Sequence, residues 1–200
     1  MDTEYRTKTG WLCLDFANTV DWHACSSPVE TLNSYADLTE WSADRGIISR
    51  DARDVLLRES QEKPIEAQGV LEKAREIREN IYRILSDTAH GNPIKVTDLK
   101  GFNGAVAGML CHSRLAPYEG GLRWEWDSRS DKLDSVIWPV VKSAMDLMTT
   151  EAVKRVGQCA DEKGCGWLFW DSSRNRSRRW CDMKDCGNRA KVRRFYAKSK

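Results

Sequence analysis

The fold of the C-terminal region is decided by two short stretches, Cys159-Ala160-Asp161-Glu162-Lys163-Gly164-Cys165 and Cys181-Asp182-Met183-Lys184-Asp185-Cys186. Each stretch begins and ends with a cysteine, and fifteen residues separate the two stretches. Two pairs of thiols joined by a longer loop are typical of a chain that encloses a tetrahedral zinc ion, because zinc prefers thiolate ligands. Four protein ligands leave no open coordination position, so we expect a structural Zn²⁺ site rather than a catalytic one.

The spacing inside the pairs also allows three alternatives to zinc. Five residues lie between Cys159 and Cys165 and four between Cys181 and Cys186, which is looser than most zinc sites. The alternatives are reduced structural thiols, iron–sulfur ligation and disulfides. Residues 1–6 contain no apolar export signal, so we expect a reducing, cytoplasmic environment, which disfavours disulfides.

Charge is distributed unevenly along the chain. Residues 1–150 carry 18 basic and 24 acidic side chains, a net charge of −6, whereas residues 151–200 carry 14 basic and 6 acidic ones, a net charge of +8. A basic segment favours a polyanion as partner, because neutralised phosphates release their counterions. The candidate nucleic-acid contacts are the basic residues Arg174, Arg176, Arg178, Arg179, Arg189, Lys191, Arg193, Arg194 and Lys198.

Arginine predominates in this set, and its planar fork matches phosphate groups and guanine edges. Two alternatives to nucleic acid stay open: the basic face docks on the acidic part of the chain, or it binds a different anionic partner. The residues alone do not separate DNA from RNA. Arg178 and Arg179 also lie beside Cys181, where their charge is suited to stabilising thiolates and backbone carbonyls.

The cysteine region is expected to have a small aromatic cluster around the metal site and a terminal helix. A unit of about 45 residues rarely builds a sufficient core, so metal binding supplies folding energy. A helix is predicted from about Asn188 to Ala197. The aromatic residues are predicted as packing residues rather than base-stacking surfaces; they are Trp167, Phe169, Trp170, Trp180 and Phe195.

Residues 155–200 resemble the CGNR zinc-finger family. The similarity rests on Cys186-Gly187-Asn188-Arg189, the motif that names the family, and on Ser177-Arg178-Arg179-Trp180-Cys181. The segment Leu12–Val20 resembles the signature of the ABATE domain, which is often found upstream of this finger. The resemblance implies an α+β, helix-plus-small-sheet ABATE-like domain over residues 1–154 (the body) and a treble-clef-like four-cysteine zinc finger over residues 155–200 (the finger). It also implies DNA as the partner, in a bacterial, stress-induced, nucleoid-associated transcription regulator.

Hydrophobic periodicity predicts an α+β body. The segment Gly10–Val20 is predicted as a strand, and Ser27-Pro28-Val29-Glu30 as a capping box that starts a helix ending near Gly46. The remaining predicted elements are helices over 52–60, from Pro64 to Gly91 and after Thr97-Asp98, a hairpin of 109–115 with 122–126 across a turn at 116–121, and a helix over 137–156.

Polar residues that follow the predicted first strand form a candidate small-molecule pocket. These are Asp15, Asn18 and Thr19, with Trp11 as an aromatic wall. The alternative is a turn in which Asp and Asn bond their own backbone. A second metal site at Cys111-His112 with Cys13 or His23 is less favoured than buried free cysteine.

The chain contains no nucleophile elbow, P-loop or glycine-rich dinucleotide turn, so we do not expect an enzyme. It also has no apolar stretch of about 18 residues, so we expect no membrane association. We expect a transcription regulator that binds DNA through a structural zinc finger, with a body that senses a small molecule or mediates interactions. The alternative is a zinc-stabilised protein–protein interaction module that binds no nucleic acid.

Overall fold

The computed structural model describes residues 5–126, 132–161 and 163–198. These residues form an α+β fold, as predicted. The helices are α1 (Leu12–Ala17), α2 (Tyr35–Asp44), α3 (Arg50–Glu62), α4 (Pro64–His90), α5 (Val96–Leu110), α6 (Trp138–Met148) and α7 (Asn188–Lys198). The strands are β1 (Val20–Asp21), β2 (Val29–Glu30), β3 (Ser113–Tyr118), β4 (Gly121–Trp126), β5 (Val156–Gln158) and β6 (Leu168–Trp170), which pair as three antiparallel ribbons, β1–β2, β3–β4 and β5–β6.

Helix α4 is the centre of the body. Pro64 occupies its first turn, where no amide donor is needed, and Gly91 ends it in the left-handed conformation with φ 70°. Leu71, Ile81 and Leu85 lie along one buried stripe of this helix. Helices α1, α2, α5 and α6 pack around that stripe, and β5 and β6 of the finger lie against the same helix. The central helix therefore contacts both parts of the chain.

The strand predicted over Gly10–Val20 is wrong, because residues 12–17 form helix α1. Every residue of α1 is buried, so no amphipathic period distinguishes a helix from a strand in so short a segment. A tertiary contact decides the conformation: the backbone amide of Cys13 donates to the Ser143 hydroxyl of α6 at 3.0 Å.

The capping box predicted at Ser27 is also wrong. Val29–Glu30 is strand β2, and the carboxylate of Glu30 accepts two 2.7 Å hydrogen bonds from the guanidinium of Arg78. The capping box of α2 lies further on, where Ser34 and Asp37 each accept a hydrogen bond from the other's backbone amide. The carboxylate of Glu30 therefore pairs with Arg78 and does not cap a helix.

Two other boundaries differ from the prediction. Helix α5 continues to Leu110, so the hairpin starts only at Ser113, and its turn is Glu119-Gly120, with φ 39° and 80°. The helix predicted over 137–156 ends at Met148, and a 3₁₀ turn over Glu151–Arg155 leads into β5. At that break the hydroxyl of Thr150 donates to a carbonyl of the preceding turn, which competes with continued helix.

Candidate metal centre and nucleic-acid interface

The four cysteines of the finger converge on one point. Cys159 follows β5, and Cys165 lies in the loop before β6. Cys181 precedes a π-helical turn over Met183–Gly187, and Cys186 lies within that turn. All four Sγ atoms lie within 4.8 Å of one another, and Cys181 Sγ is 3.6 Å from the Sγ of both Cys165 and Cys186. A tetrahedral zinc with Zn–S bonds of about 2.3 Å would hold the sulfurs about 3.8 Å apart. The donor set therefore fits one zinc ion.

Backbone geometry around Cys165 shapes the first half of the site. Gly164 and Gly166 on either side have φ 90° and 66°, a left-handed conformation that favours glycine. A Cβ on Gly166 would lie 2.6 Å from the Cβ of Ala24 in the body. The amide of Cys159 donates to the Trp167 carbonyl at 2.8 Å and closes the loop.

The second half of the site is held by a side-chain cap. The carboxylate of Asp182 accepts hydrogen bonds from the amides of Lys184 and Asp185, which fixes the turn that carries Cys186. Gly187 follows directly, and its amide donates to the Asp182 carbonyl at 3.0 Å. Helix α7 begins one residue later, as predicted. The first residue of the helix therefore lies next to the metal centre.

Ionisation of one thiol disfavours ionisation of its neighbours when no cation is present. Hydrogen bonds from Cys165 and Cys181 lower the pKa of Cys159, and the resulting thiolate raises the pKa of Cys165 and Cys181. Burial raises the pKa of the Cys186 thiol. A divalent cation at the centre stabilises all four thiolates together. Arg189 adds a further positive charge, because its Nη2 donates to Cys186 Sγ at 2.8 Å.

Three of the predicted nucleic-acid contacts bind groups of this chain instead. The side chain of Asp161 is fully buried, and its carboxylate binds Arg189 at 3.0 Å and Arg193 at 2.5 Å. Burial alone would raise the pKa of Asp161, but hydrogen bonds from Arg193 and Arg189 hold it below its ordinary value. Arg178 donates to the carbonyls of Trp180 and Cys181 and lies 4.7 Å from the Phe169 ring centroid.

Five of the other six predicted contacts are exposed. Buried Asp171 accepts hydrogen bonds from the amides of Ser173 and Arg178, which holds the loop between them. Arg176 lies in that loop with a left-handed φ of 49°. Lys198 ends α7, but its side chain is outside the described residues. The exposed candidates are Arg174, Arg176, Arg179, Lys191 and Arg194, whose role in nucleic-acid binding stays a prediction.

The aromatic residues of the finger are packing residues, with one exception. Phe169 is buried, and the indole groups of Trp167 and Trp170 donate to body carbonyls at 3.0 and 3.1 Å. Trp180 packs against the cysteine cluster. Phe195 is 69% exposed, contrary to the prediction, because the half-buried residues of α7 lie on the opposite side of that helix.

The candidate pocket residues mostly serve the fold. The carboxylate of Asp15 accepts hydrogen bonds from the amides of Lys8 and Thr9 and pairs with Arg45 at 3.1 Å. Thr19 donates to its own backbone turn at Phe16. Both side chains therefore bond nearby backbone, as in the turn alternative. Trp11 is buried at the start of α1, with 5% of its surface exposed.

Asn18 has a role that the sequence did not indicate. Its amide group donates to the Leu168 carbonyl and accepts from the Leu168 amide, both at 2.8 Å, so it imitates a strand partner for β6. Nearby, the amides of His23 and Ala24 donate to the carbonyls of Cys165 and Gly164 at 3.0 and 3.1 Å. The body therefore binds the backbone around one zinc ligand.

A crevice of about 390 Å³ lies where the body meets the finger. Asp15, Asn18 and Thr19 line it, as do side chains that the sequence analysis did not assign to a pocket. From the body these include Trp41 and Arg45, and from the finger Trp167, Phe169, Arg178 and Cys181. A molecule in this crevice would contact both parts of the chain.

The second metal site is not formed. Among residues 5–126, 132–161 and 163–198, the four finger cysteines are the only group of three or more His, Cys, Asp or Glu side chains placed to hold an ion. Cys13 is a buried free cysteine, as the favoured alternative expected. Cys111 is exposed, so that alternative does not apply to it. His112 stacks on Trp138 with ring centroids 4.5 Å apart.

Comparison with protein families matches two consecutive parts of the chain. Residues 10–151 match the ABATE model, described as "putative stress-induced transcription regulator", and residues 155–199 match the CGNR zinc finger. The chain belongs to the ABATE family. Both resemblances are thereby confirmed, and the CGNR match supports zinc at the four cysteines. The boundary between body and finger at residues 154 and 155 stays a prediction.

No curated protein sequence is similar enough to this ABATE-family chain to serve as a named relative. In the part of the chain that the structure describes, every helix is too short or too polar to cross a membrane.

Proposed function

We propose that this ABATE-family chain is a transcription regulator that binds duplex DNA through exposed cations of its zinc finger. The observation that carries the proposal is a division among the arginines. Arg189 and Arg193 pair with buried Asp161, whereas Arg174, Arg176 and Arg194 have no carboxylate partner among the described residues. The exposed group is therefore available to a polyanion from solution.

The metal centre makes this surface rigid. The loop that carries Arg174 and Arg176 runs into Cys181, and α7, which carries Arg194, begins just after Cys186. A rigid display lowers the entropy lost when side chains bind phosphates. We therefore expect DNA binding to require zinc and the protein to associate with the chromosome.

A salt titration with a matched control tests the proposal. We expect the wild type to bind a duplex with an affinity that falls steeply with salt, and R174E/R176E to lose at least tenfold in affinity, since each phosphate contact contributes roughly 0.9 to the salt slope. The control K95E/K100E reverses the same number of exposed charges on the body. Absent or salt-independent binding, or an equal loss in the control, would contradict the proposal.

We further propose that the body senses a small molecule in the crevice. A ligand there would touch Trp41 of the body and Trp167 of the finger, so its binding energy is shared between them. We assign binding rather than catalysis, because the carboxylate of Asp15 is already bound by amides and Arg45. A ligand screen by thermal shift should give hits that W41A abolishes; hits unaffected by W41A would contradict this site.

A second candidate function, protein–protein interaction, is favoured by the β3–β4 hairpin. Leu115, Leu122 and Trp124 lie on one face of the hairpin and are 56%, 68% and 41% exposed. An apolar face of this kind is typical of interaction surfaces. If the wild type binds no duplex but associates with a protein, and L115R/L122R abolishes that association, the interaction function replaces the DNA-binding one.

A further inference from the structure

A pocket of about 220 Å³ lies on the finger between α7 and the segment that precedes Cys181. One face of α7 forms a wall, since its lining residues follow the helical spacing of three and four. Small alanine side chains leave the space open. The lining residues are Ala160, Arg179, Trp180, Ala190, Arg193, Arg194 and Ala197.

The pocket is positively charged and contains no carboxylate in its lining. The guanidinium carbons of Arg179 and Arg194 lie 5.4 and 5.9 Å from the centroid of the Trp180 ring. The electron-rich face of an indole ring attracts cations, so both guanidinium groups are held beside the Trp180 ring. Neither arginine has a carboxylate partner among the described residues, so no counter-charge of the protein occupies the pocket.

The third arginine of the pocket, Arg193, is held in position by an ion pair within the chain. Arg193 donates through Nη2 to Asp161 at 2.5 Å, which fixes its guanidinium at the edge of the pocket. Asp161 itself is fully buried on its side chain, so it does not reach a ligand from solution. The pocket thus combines one anchored arginine with two that lack an ion-pair partner.

The walls of the pocket are tied to the metal centre. Ala160 follows Cys159, Trp180 precedes Cys181, and the amide of Ala160 donates to the Arg179 carbonyl at 2.9 Å. The two segments that carry the zinc ligands Cys159 and Cys181 are therefore joined beside the pocket.

We propose that this pocket binds one phosphate group of a nucleic-acid backbone, which rests on the DNA-binding function proposed above and locates one of its contacts. Guanidinium groups bind phosphate oxygens through paired, charge-assisted hydrogen bonds, and Arg179 and Arg194 both line the pocket, so each can donate to one phosphate. A pocket of this size admits a phosphate with its bridging oxygens but no base pair. The contact is therefore independent of base sequence.

The test compares R179A/R194A with K95A/K100A, which removes the same charge from the body. Duplexes of several unrelated sequences are titrated over a range of salt. We expect R179A/R194A to lose at least roughly tenfold in affinity for every sequence, the size of one charged hydrogen bond, and its salt slope to fall by about 1. The control should keep the wild-type slope.

Zinc content and thermal unfolding show whether each variant is folded, and the single variant R194A replaces the double variant if the latter is not. Folded variants that bind with wild-type affinity and slope, while the wild type does bind duplex, would overturn the pocket and leave the proposed function standing. A wild type that binds no duplex would overturn both. Competition separates the sources of phosphate: if inorganic phosphate or a mononucleotide binds the wild type tightly and duplex does not, the pocket serves a free anion and the inference is wrong.

Discussion

The body and the finger of this chain are stabilised by different means. The body has a continuous apolar core in which side chains such as Leu12, Leu71 and Ile81 are completely shielded from water. Among the described residues of the finger, Val156 and Leu168 are the buried ones that join this core. Phe169 is also buried, and a separate cluster is formed by the cysteines, with Trp167 and Trp180 packed against them.

The finger therefore depends on two supports that its own apolar residues do not supply, a metal ion and contact with the body. Burial of a large apolar side chain contributes about 1.5–3 kcal/mol, so the body accumulates stability from many residues. The finger instead concentrates its stability in four sulfur ligands and in hydrogen bonds between its main chain and the body, such as those to the Asn18 side chain and the Ala24 amide.

The largest effect is expected from C186S. Cys186 is 1% exposed and is one of four ligands, and structural zinc contributes about 10–16 kcal/mol to the folding of small fingers. We expect bound zinc to fall from one ion per chain to near zero and protease cleavage to start within 155–198, while the helical signal of the body remains. The control C111S changes an exposed thiol outside the cluster and should keep its zinc. Cleavage spread equally over the whole chain would show that the two parts do not differ in this way.

A smaller loss is expected from L71A in the body core. Leu71 is completely buried on α4, and truncation of such a side chain leaves a cavity that costs about 2–5 kcal/mol. Urea denaturation monitored by circular dichroism measures the loss, and I65A is the control, because Ile65 lies on the same helix and is 90% exposed. Equal stabilities for the two variants would contradict the assignment of the core.

The contact between the two parts is tested by G166A. The backbone at Gly166 has φ 66°, and a new Cβ would lie 2.6 Å from the Ala24 Cβ and 2.7 Å from its backbone nitrogen. Because strain of this kind costs about 1–3 kcal/mol, unfolding should require less urea and amide exchange should quicken at the contact. The control G108A lies on α5 with no atom within 4 Å of the added carbon and should be neutral or slightly stabilising. If G166A is as stable as G108A, the finger does not dock as described.

The smallest effect is a pH dependence carried by Glu30. Burial alone would raise its pKa, but hydrogen bonds from Arg78 lower the pKa below its ordinary value of 4.5. A carboxyl with a lowered pKa contributes stability above pH 4.5, and that contribution is lost as the pH falls through the folded-state pKa. The stability difference between wild type and E30Q should therefore shrink on acidification. E62Q, at an exposed position, should run parallel to the wild type; a parallel course for E30Q would contradict the role of the ion pair.

Regular patterns made the long elements and the metal ligands predictable. The apolar stripe of α4 and its proline and glycine ends are readable from sequence, and so is the start of α7 at Asn188. The four ligands follow from cysteine spacing together with the CGNR motif. These features are local, so one stretch of sequence contains the information that defines them.

The features that were not predicted depend on partners far along the chain. Helix α1 is held by Ser143, and Glu30 is taken by Arg78, 48 residues away. The sequence analysis assigned no role to Asp161, which binds Arg189 and Arg193 and thereby separates these two arginines from the exposed basic residues. Most of the described hydrogen bonds that dock the finger have a main-chain group on at least one side, and main-chain groups have no sequence signature.

The central claim is that four sulfurs bind one zinc ion and thereby order the arginine-bearing surface. X-ray absorption at the zinc edge, measured on the reduced 200-residue chain, tests it most directly. We expect one zinc per chain with four sulfur neighbours at about 2.3 Å and no nitrogen or oxygen ligand. A spectrum with fewer than four sulfurs, with nitrogen or oxygen in their place, or a chain that is fully folded without zinc would contradict it.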